Sequence, residues 1–325
     1  MDKKTSRLSI IKTTCIFTGL IFGAGFASGR EHLTFFLRYG RFGVFGIILA
    51  GAVIALCGLA VMDLCVRHGI RDYKSFMRAV FGPRLGAVLD VITGLFIFVL
   101  FSAMLAGAGA LGQQALQLPF SAGSAALAAL CFVILLFDIR GIIEINTIVT
   151  PILVVGALIL GIFAIFGDAA PAAALTLQNP IFWPLSALIY ASYNMLTAIA
   201  VLAALPTLVT TRKIARTSGI LGGFFVALIG LIFAIALLAH LPAIQNAELP
   251  MLALAQNLAP LLSYSYTIVL ILAIFTTAAT NAFALINWLA TRTRFTRIQI
   301  KIAITILGVI AAHMGFSGIV SYAYT

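Results

Sequence analysis

The residues best suited to bind a solute lie in a glycine-rich stretch inside the first long apolar segment. Residues 23–29 hold three glycines, and the charged residues 30–32 follow before the apolar pattern resumes. Glycine weakens a helix, and ionisable groups inside apolar segments are rare and often functional. We expect a broken helix whose freed backbone groups bind polar atoms. The candidate contacts are Gly23, Ala24, Gly25, Phe26, Ser28 and Gly29.

Other roles remain open for the same stretch. Gly25 and Gly29 are four residues apart, a spacing that also suits close packing between membrane helices. Glu31 has two candidate roles: to take up a proton in an ion-coupled cycle, or to form a structural ion pair with Arg30 or His32. Arg30 and Glu31 also lie where a charged outer gate is expected.

A second polar cluster follows about 170 residues later, inside another apolar segment. Tyr190, Ser192, Tyr193 and Asn194 are unusual at mid-membrane positions. Two interrupted segments at matching positions of two halves are the best sequence indication of a transporter site. We therefore predict a second interruption here, facing the first. The alternative is that these side chains only form hydrogen bonds between helices.

A polar stripe marks a later apolar segment. Thr276 and Thr280 are four residues apart, as are Thr277 and Asn281, so all four lie on one side of a helix. Hydroxyl and amide oxygens suit a sodium ion. The alternative is that the hydroxyls bond to carbonyls of their own helix.

The elements that position these residues are membrane-spanning helices. The 325-residue chain is 62% hydrophobic and only 9% charged, whereas soluble domains carry about 25% charged residues. We predict a single all-α membrane domain over residues 1–325, embedded in the lipid bilayer. The predicted spans are 8–37, 42–66, 85–116, 121–137, 142–166, 179–205, 217–240, 263–290 and 299–314. An amphipathic segment is predicted at 248–262.

The distribution of basic residues gives the orientation. With the N-terminus in the cytoplasm, all Lys and Arg except Arg30, Arg38 and Arg41 fall in cytoplasmic segments. A multi-pass protein of the cell membrane is therefore expected. The net charge of +11 is explained by this topology, so no nucleic acid partner is predicted.

Catalytic and cofactor motifs are not found in the sequence. It has no Walker sequence, no GxSxG and no HExxH, and its four cysteines form no CxxC pair. We predict that the protein is not an enzyme and has no cofactor, with a bound sodium ion as the one open expectation.

The segment from Phe22 to Glu31, together with residues 190–195, resembles the bacterial YkvI family of membrane proteins. That family looks like a branch of the amino acid–polyamine–organocation transporter superfamily. The resemblance implies the leucine-transporter fold, with two inverted repeats of five spans and broken spans one and six. The first repeat would cover 8–166 and the second 179–325. The final residues are too short for a complete tenth span, so either the fold has nine spans or a tenth has been lost. The span-ten partner that a charged outer gate normally uses cannot be named for Arg30.

The resemblance also implies a site for a coupling ion. In sodium-coupled proteins of this fold, span-eight hydroxyls and span-one carbonyls bind sodium. Here Thr276 and Thr277 would act with carbonyls near Phe22 and Gly25. The predicted ion-coupling residues are Phe22, Gly25, Glu31, Thr276, Thr277, Thr280 and Asn281.

We predict a secondary active transporter for a small amino acid-like or amine solute. A sodium or proton gradient would drive alternating access around spans one and six. Two other functions remain open: a receptor that binds the solute without moving it, and a channel or lipid-handling protein. The sequence does not decide the oligomeric state.

Overall fold

The structure is a computed structural model that describes residues 3–136, 139–167, 179–203, 205, 208–290 and 292–323. Helices make up 87% of it, and these ranges contain no strand, which confirms the all-α prediction. Large apolar side chains such as Leu56, Ile148 and Ile306 are exposed on its outside. Such a surface suits contact with lipid rather than water.

The first span is broken, as predicted. Helix α1 (Lys3–Ile21) ends before the glycines, and two short helices follow, α2 (Ala24–Ser28) and α3 (Arg30–Phe35). Gly23 between α1 and α2 is extended, whereas Gly29 between α2 and α3 is left-handed, with φ 79°. Glycine adopts that conformation without a Cβ clash, so Gly29 allows the turn that separates α2 from α3.

Most of the remaining helices follow the predicted spans, whereas the helix predicted to begin at residue 85 begins at Tyr73 and has a non-helical Gly82 inside it, with φ 75°. Six of the described helices are long and apolar enough to cross a membrane. They are Phe42–His68, Tyr73–Leu116, Ile148–Phe166, Trp183–Leu202, Arg212–Ile244 and Pro260–Ala290. A count of nine spans stays a prediction. The bounds are α4 (Phe42–His68), α5 (Tyr73–Leu116), α6 (Phe120–Ile134), α7 (Ile139–Phe166), α8 (Trp183–Leu202), α9 (Arg212–Ile244), α10 (Pro250–Leu258), α11 (Pro260–Ala290), α12 (Arg297–Ala312) and α13 (Phe316–Ala323).

The predicted break in the sixth span is wrong. Helix α8 runs without interruption through Tyr190 and Asn194. Its polar side chains are accommodated in the helix, because Ser192 Oγ donates to the Leu188 carbonyl at 2.7 Å and Asn194 Nδ2 to the Tyr190 carbonyl at 3.0 Å. Residues 185–202 also contain no glycine or proline, so nothing in the local sequence forces the backbone to unwind.

The long helices pack as two groups. Helix α4 packs on α8 and α9, and α1 packs on the same two helices, while α5 packs on α6, α11 and α12, and α7 touches members of both groups. Close approach within the first group depends on small residues. A methyl group built on Gly219 of α9 would lie 2.6 Å from the Leu59 nitrogen of α4, and one on Gly223 would overlap Ala55. Small residues of this kind let membrane helices approach at backbone distance.

In each group, an ion pair joins two helices on the side predicted to be cytoplasmic. Asp63 of α4 accepts from Arg212 of α9 at 2.8 Å and from Arg67 at 2.6 Å. Asp90 of α5 pairs with Arg292, which follows α11. Both pairs join helices of the same group, and neither crosses the boundary between the groups.

We expect Asp63→Asn to lower the apparent Tm of the purified protein by a small amount, because two hydrogen bonds to a charged carboxylate are lost but both arginine partners are half exposed to solvent. In a double-mutant cycle, Arg212→Gln should add little once Asp63 has been changed. Arg216→Gln on the exposed face of α9 is the matched control. Fully additive effects would show that the α4–α9 pair does not contribute to stability.

Candidate functional site

The break in the first span leaves backbone groups without partners at mid-membrane. Among the described residues, no backbone N–H bonds to the last carbonyls of this segment, Gly19 to Phe22. The N–H groups of Ala24, Gly25 and Phe26 likewise have no carbonyl partner. Unsatisfied backbone is costly in lipid and is tolerated where it lines a binding site.

Neighbouring helices cover the rest of the break. The Tyr266 hydroxyl of α11 donates to the Ala27 carbonyl at 2.5 Å. The Ser186 hydroxyl of α8 donates to the Phe35 carbonyl at 2.7 Å. The predicted contact Ser28 bonds locally instead, since its hydroxyl donates to the Gly25 carbonyl at 2.8 Å. Helices α8 and α11 therefore hold the broken span in place from two sides.

The carboxyl group of Glu31 turns back into the break. Its side chain packs directly over Gly25, where any Cβ would overlap Oε1. It also faces the hydroxyl groups of Tyr190 and Tyr193 of α8. Glu31 is only 5% exposed, and its Oε2 atom has no hydrogen-bond partner among the described residues. The structure thus brings together predicted residues of spans one and six around one carboxyl group.

Two of the predicted span-six contacts lie away from this centre. Ser192 is exposed on the outer face of α8, and its hydroxyl is used within its own helix. Asn194 is buried, with its amide nitrogen bound to the Tyr190 carbonyl. Their proposed solute contacts stay predictions, whereas Tyr190 and Tyr193 lie directly against the broken span.

An aromatic cluster fills the other side of the break. The rings of Phe22 and Phe26 are 4.9 Å apart, and Phe26 contacts the His32 ring edge-on at 4.6 Å. Phe233 of α9 closes the cluster, 5.5 Å from His32. His32 is 1% exposed, and within the described ranges neither of its ring nitrogens makes a hydrogen bond. Phe22 and Phe26 are thus part of the packed core on this side.

The predicted gate residue Arg30 points toward the segment between α9 and α10. Its Nη1 atom lies 3.5 Å from the Ala247 carbonyl, and the neighbouring Glu248 carboxylate attracts it electrostatically. The Glu248 carboxylate accepts from the Ser317 amide at 2.8 Å and from its hydroxyl at 2.6 Å. Sequence reasoning missed Glu248, although it is the only charged residue in the segment from 241 to 262.

The polar stripe of α11 lines a small cavity against the end of α1. The cavity has a volume of about 30 Å³, and its walls include Gly19, Leu20, Thr277 and Asn281. Thr276 and Thr280, also in the wall, donate to carbonyls of their own helix at 2.9 and 2.8 Å. Thr277 and Asn281 make no such bond among the described residues, and Thr277 Oγ1 adjoins Gly23. The α1 residues at the cavity come one turn before the predicted Phe22 and Gly25.

Sequence comparison finds relatives along nearly the whole chain. It is 27% identical over 320 residues to the uncharacterised membrane protein YkvI of Bacillus subtilis, covering 98% of this chain and 92% of that protein. It is 25% identical over 314 residues to the uncharacterised protein YyaD of the same organism, covering 97% and 91%. No protein-family model matches. The resemblance to YkvI is thus confirmed at the level of similar sequences.

Comparison with solved structures identifies the fold. The manganese transporter of Eremococcus coleocola matches with a TM-score of 0.63 and 15% identity, over 93% of this chain and 69% of that one. The nucleobase-cation-symport-1 family transporter MHP1 matches with a TM-score of 0.66 and 14% identity, over 93% and 70%. This chain has the leucine-transporter fold. A sodium-coupled sialic acid symporter also matches, with a TM-score of 0.58 and 13% identity, over 96% and 72%. With membrane-spanning helices and transporter-fold neighbours, the chain is a multi-pass membrane protein.

We expect Gly25→Ala to lower the apparent Tm by displacing the Glu31 carboxyl group, at a cost of roughly 1–3 kcal/mol for overpacking. Truncating the opposing side chain in Gly25→Ala/Glu31→Ala should remove most of that cost. Gly318→Ala is the control, because a methyl group built there meets no atom within 4 Å. If the Gly25→Ala cost is unchanged in the Glu31→Ala background, the two residues are not packed together.

Proposed function

We propose that the protein is a secondary active transporter of the amino acid–polyamine–organocation superfamily that moves a small amine-bearing solute, such as an amino acid or a related amine. One observation carries the proposal. The unpaired backbone of the broken first span faces Glu31, Tyr190 and Tyr193 near the boundary between the two helix groups. A solute bound there contacts both groups, so relative motion of the groups opens its site to one side or the other.

The packing of the helices supports alternating access. Asp63 and Asp90 each fasten helices within a single group, and the Gly219 and Gly223 contacts make α4 and α9 a closely fitted pair. Each group is held together by contacts of its own, so the two groups move relative to each other as rigid bodies around the solute site. On the predicted outer side, Arg30 is attracted to the Glu248 carboxylate, which accepts a hydrogen bond from the Ser317 amide. These contacts link the first span to later segments and form the candidate outer gate.

The cavity beside α1 suits a sodium ion as the coupling ion. Sodium takes oxygen ligands, and the carbonyls of Gly19 and Leu20 accept no backbone hydrogen bond there. Thr277 and Asn281 supply side-chain oxygens that are not used within α11. A volume of about 30 Å³ accommodates one ion or one water molecule. The proton is the alternative coupling ion, with Glu31 as its carrier.

We expect sodium chloride to raise the apparent Tm above its value in potassium chloride at equal ionic strength. Sodium at one hundred times its Kd stabilises the bound state by roughly 2–3 kcal/mol. Thr277→Val and Asn281→Leu should abolish the difference between the two salts. Thr267→Val, the same change on α11 at a hydroxyl bonded to the Ser263 carbonyl, should preserve it. Equal Tm values for the wild type in both salts would exclude sodium as the coupling ion and leave the proton as the candidate.

The transport proposal is tested by uptake into proteoliposomes. A panel of radiolabelled amino acids and small amines is presented with an inward sodium gradient, an inward proton gradient, or neither. We expect concentrative uptake of at least one solute with one gradient, and its loss when an ionophore dissipates that gradient. Uptake that proceeds equally without any gradient would indicate a channel. Solute binding without uptake would indicate a receptor, and either result contradicts the proposal.

A further inference from the structure

A second cavity lies at the end of α4, on the side of the membrane that is predicted to be cytoplasmic. Its volume is about 250 Å³, several times that of the cavity beside α1. One wall is the end of α4 with the segment that follows it, and the other is the end of α8 with the segment that leads to α9. Both helices belong to the same group, so this cavity is not formed between the two groups.

Most of the side chains that line this cavity are apolar. They include Met62, Cys65, Ile70, Leu202 and Val209. Water is held poorly between apolar side chains because it needs polar partners. An unfilled apolar cavity also forfeits packing contacts along its walls. These walls therefore favour an apolar chain as the occupant.

Arg71 is the charged residue in the described part of the wall. Its side chain is exposed, and no ion pair or hydrogen bond joins it to another described residue. The adjacent acid, Asp72, instead accepts from the Ser75 amide at 2.8 Å and from its hydroxyl at 2.7 Å. Asp63, near the end of α4, is already paired with two other arginines. The Arg71 guanidinium is thus available to an anion at the cavity.

The helical segment that follows the cavity wall adds positive charge and exposed apolar surface. Gly82, with φ 75° and ψ 174°, separates residues 73–81 from the rest of α5. Lys74 and Arg78 are exposed and four residues apart, so they share one face of this short segment. Phe81 is 42% exposed. A basic amphipathic helix beside membrane spans is typical of the anionic cytoplasmic surface of a bilayer.

An apolar cavity with an available guanidinium at the membrane surface matches one kind of ligand. A guanidinium binds phosphate through paired hydrogen bonds. The neighbouring cations favour a lipid with net negative charge over a zwitterionic lipid, whose ammonium group they repel. A soluble phosphate compound has no chain to fill the apolar walls, and a neutral lipid has no charge to meet the guanidinium.

We propose that this cavity binds an anionic phospholipid of the cytoplasmic leaflet. Part of an acyl chain lies between the ends of α4 and α8, and the lipid phosphate lies on the Arg71 guanidinium. The lipid is a bound partner rather than the transported solute, because the walls of its site belong to a single helix group. Binding of this lipid therefore does not depend on transport.

The test is lipid binding to the purified full-length protein in a neutral detergent, measured by native mass spectrometry. Two lipids with the same dioleoyl chains are compared: phosphatidylglycerol, which is anionic, and phosphatidylcholine, which is zwitterionic. Glycerol phosphate supplies the phosphate without the chains, and dioleoylglycerol supplies the chains without the phosphate. We expect phosphatidylglycerol to bind more tightly than the other three. Binding of any of those three as tightly as phosphatidylglycerol overturns the proposal.

A pair of charge variants then places the lipid phosphate. Arg71→Gln should weaken phosphatidylglycerol binding about fivefold, because one cation near the membrane surface is lost. Arg297→Gln is the matched control: it removes an exposed arginine on the predicted cytoplasmic side, from α12 in the other helix group, and should leave the affinity unchanged. An unchanged affinity in Arg71→Gln, or an equal fall in both variants, contradicts the proposed site.

A pair of tryptophan variants tests the apolar walls, and it keeps the test decisive if Arg71→Gln does not fold. Val66→Trp places a larger side chain in the cavity wall and should abolish the tight binding of phosphatidylglycerol. Leu56→Trp, on the exposed face of the same helix, should preserve it. If phosphatidylglycerol binds to Val66→Trp as tightly as to Leu56→Trp, the lipid does not occupy this cavity.

Discussion

Hydrocarbon offers no hydrogen bonds, and this constraint governs how the first span can be broken. The backbone groups freed between α1 and α3 must be covered by protein or by a bound solute. Side chains supply some of these hydrogen bonds. The Tyr266 hydroxyl donates to the Ala27 carbonyl, and the Ser186 hydroxyl donates to the Phe35 carbonyl. Among the described residues, the carbonyls of residues 19–22 and the N–H groups of residues 24–26 have no backbone hydrogen-bond partner. These unpaired groups are the part of the break where we expect ligands to bind.

Gly25 and Gly29 determine which side chains lie beside the break. Gly25 has no Cβ, and the space is used by the carboxyl group of Glu31, six residues later. Gly29, with its positive φ, turns the chain so that Arg30 faces the predicted outer side while Glu31 faces Tyr190 and Tyr193. Adjacent residues with opposite charges are separated in this way. Arg30 is available to a gate, and Glu31 is left in the centre without a cation.

Sequence reasoning succeeded where the deciding interactions are local. The break in the first span follows from three glycines and a charged triplet within ten residues, and the structure has it there. The prediction that α8 is interrupted was wrong. Ser192 and Asn194 donate to carbonyls four residues earlier in the same helix, and the polar pattern of the sequence does not reveal those hydrogen bonds. The role of Glu248 depends on Ser317, 69 residues away, so no local pattern indicates it. The α11 residues that line the cavity belong to the predicted polar stripe. The α1 residues there, Gly19 and Leu20, come one turn before the predicted Phe22 and Gly25, because the register of α1 against α11 depends on tertiary packing.

The central claim is that solute binds between the break in the first span and Tyr190–Tyr193 of α8. The most direct measurement is a cryo-electron microscopy structure of the protein in nanodiscs with a saturating solute that it binds. We predict density for the solute between Gly25 and Tyr193, next to the Glu31 side chain. Solute density elsewhere, with Glu31 still packed on Gly25 and in contact with both tyrosines, would contradict this claim.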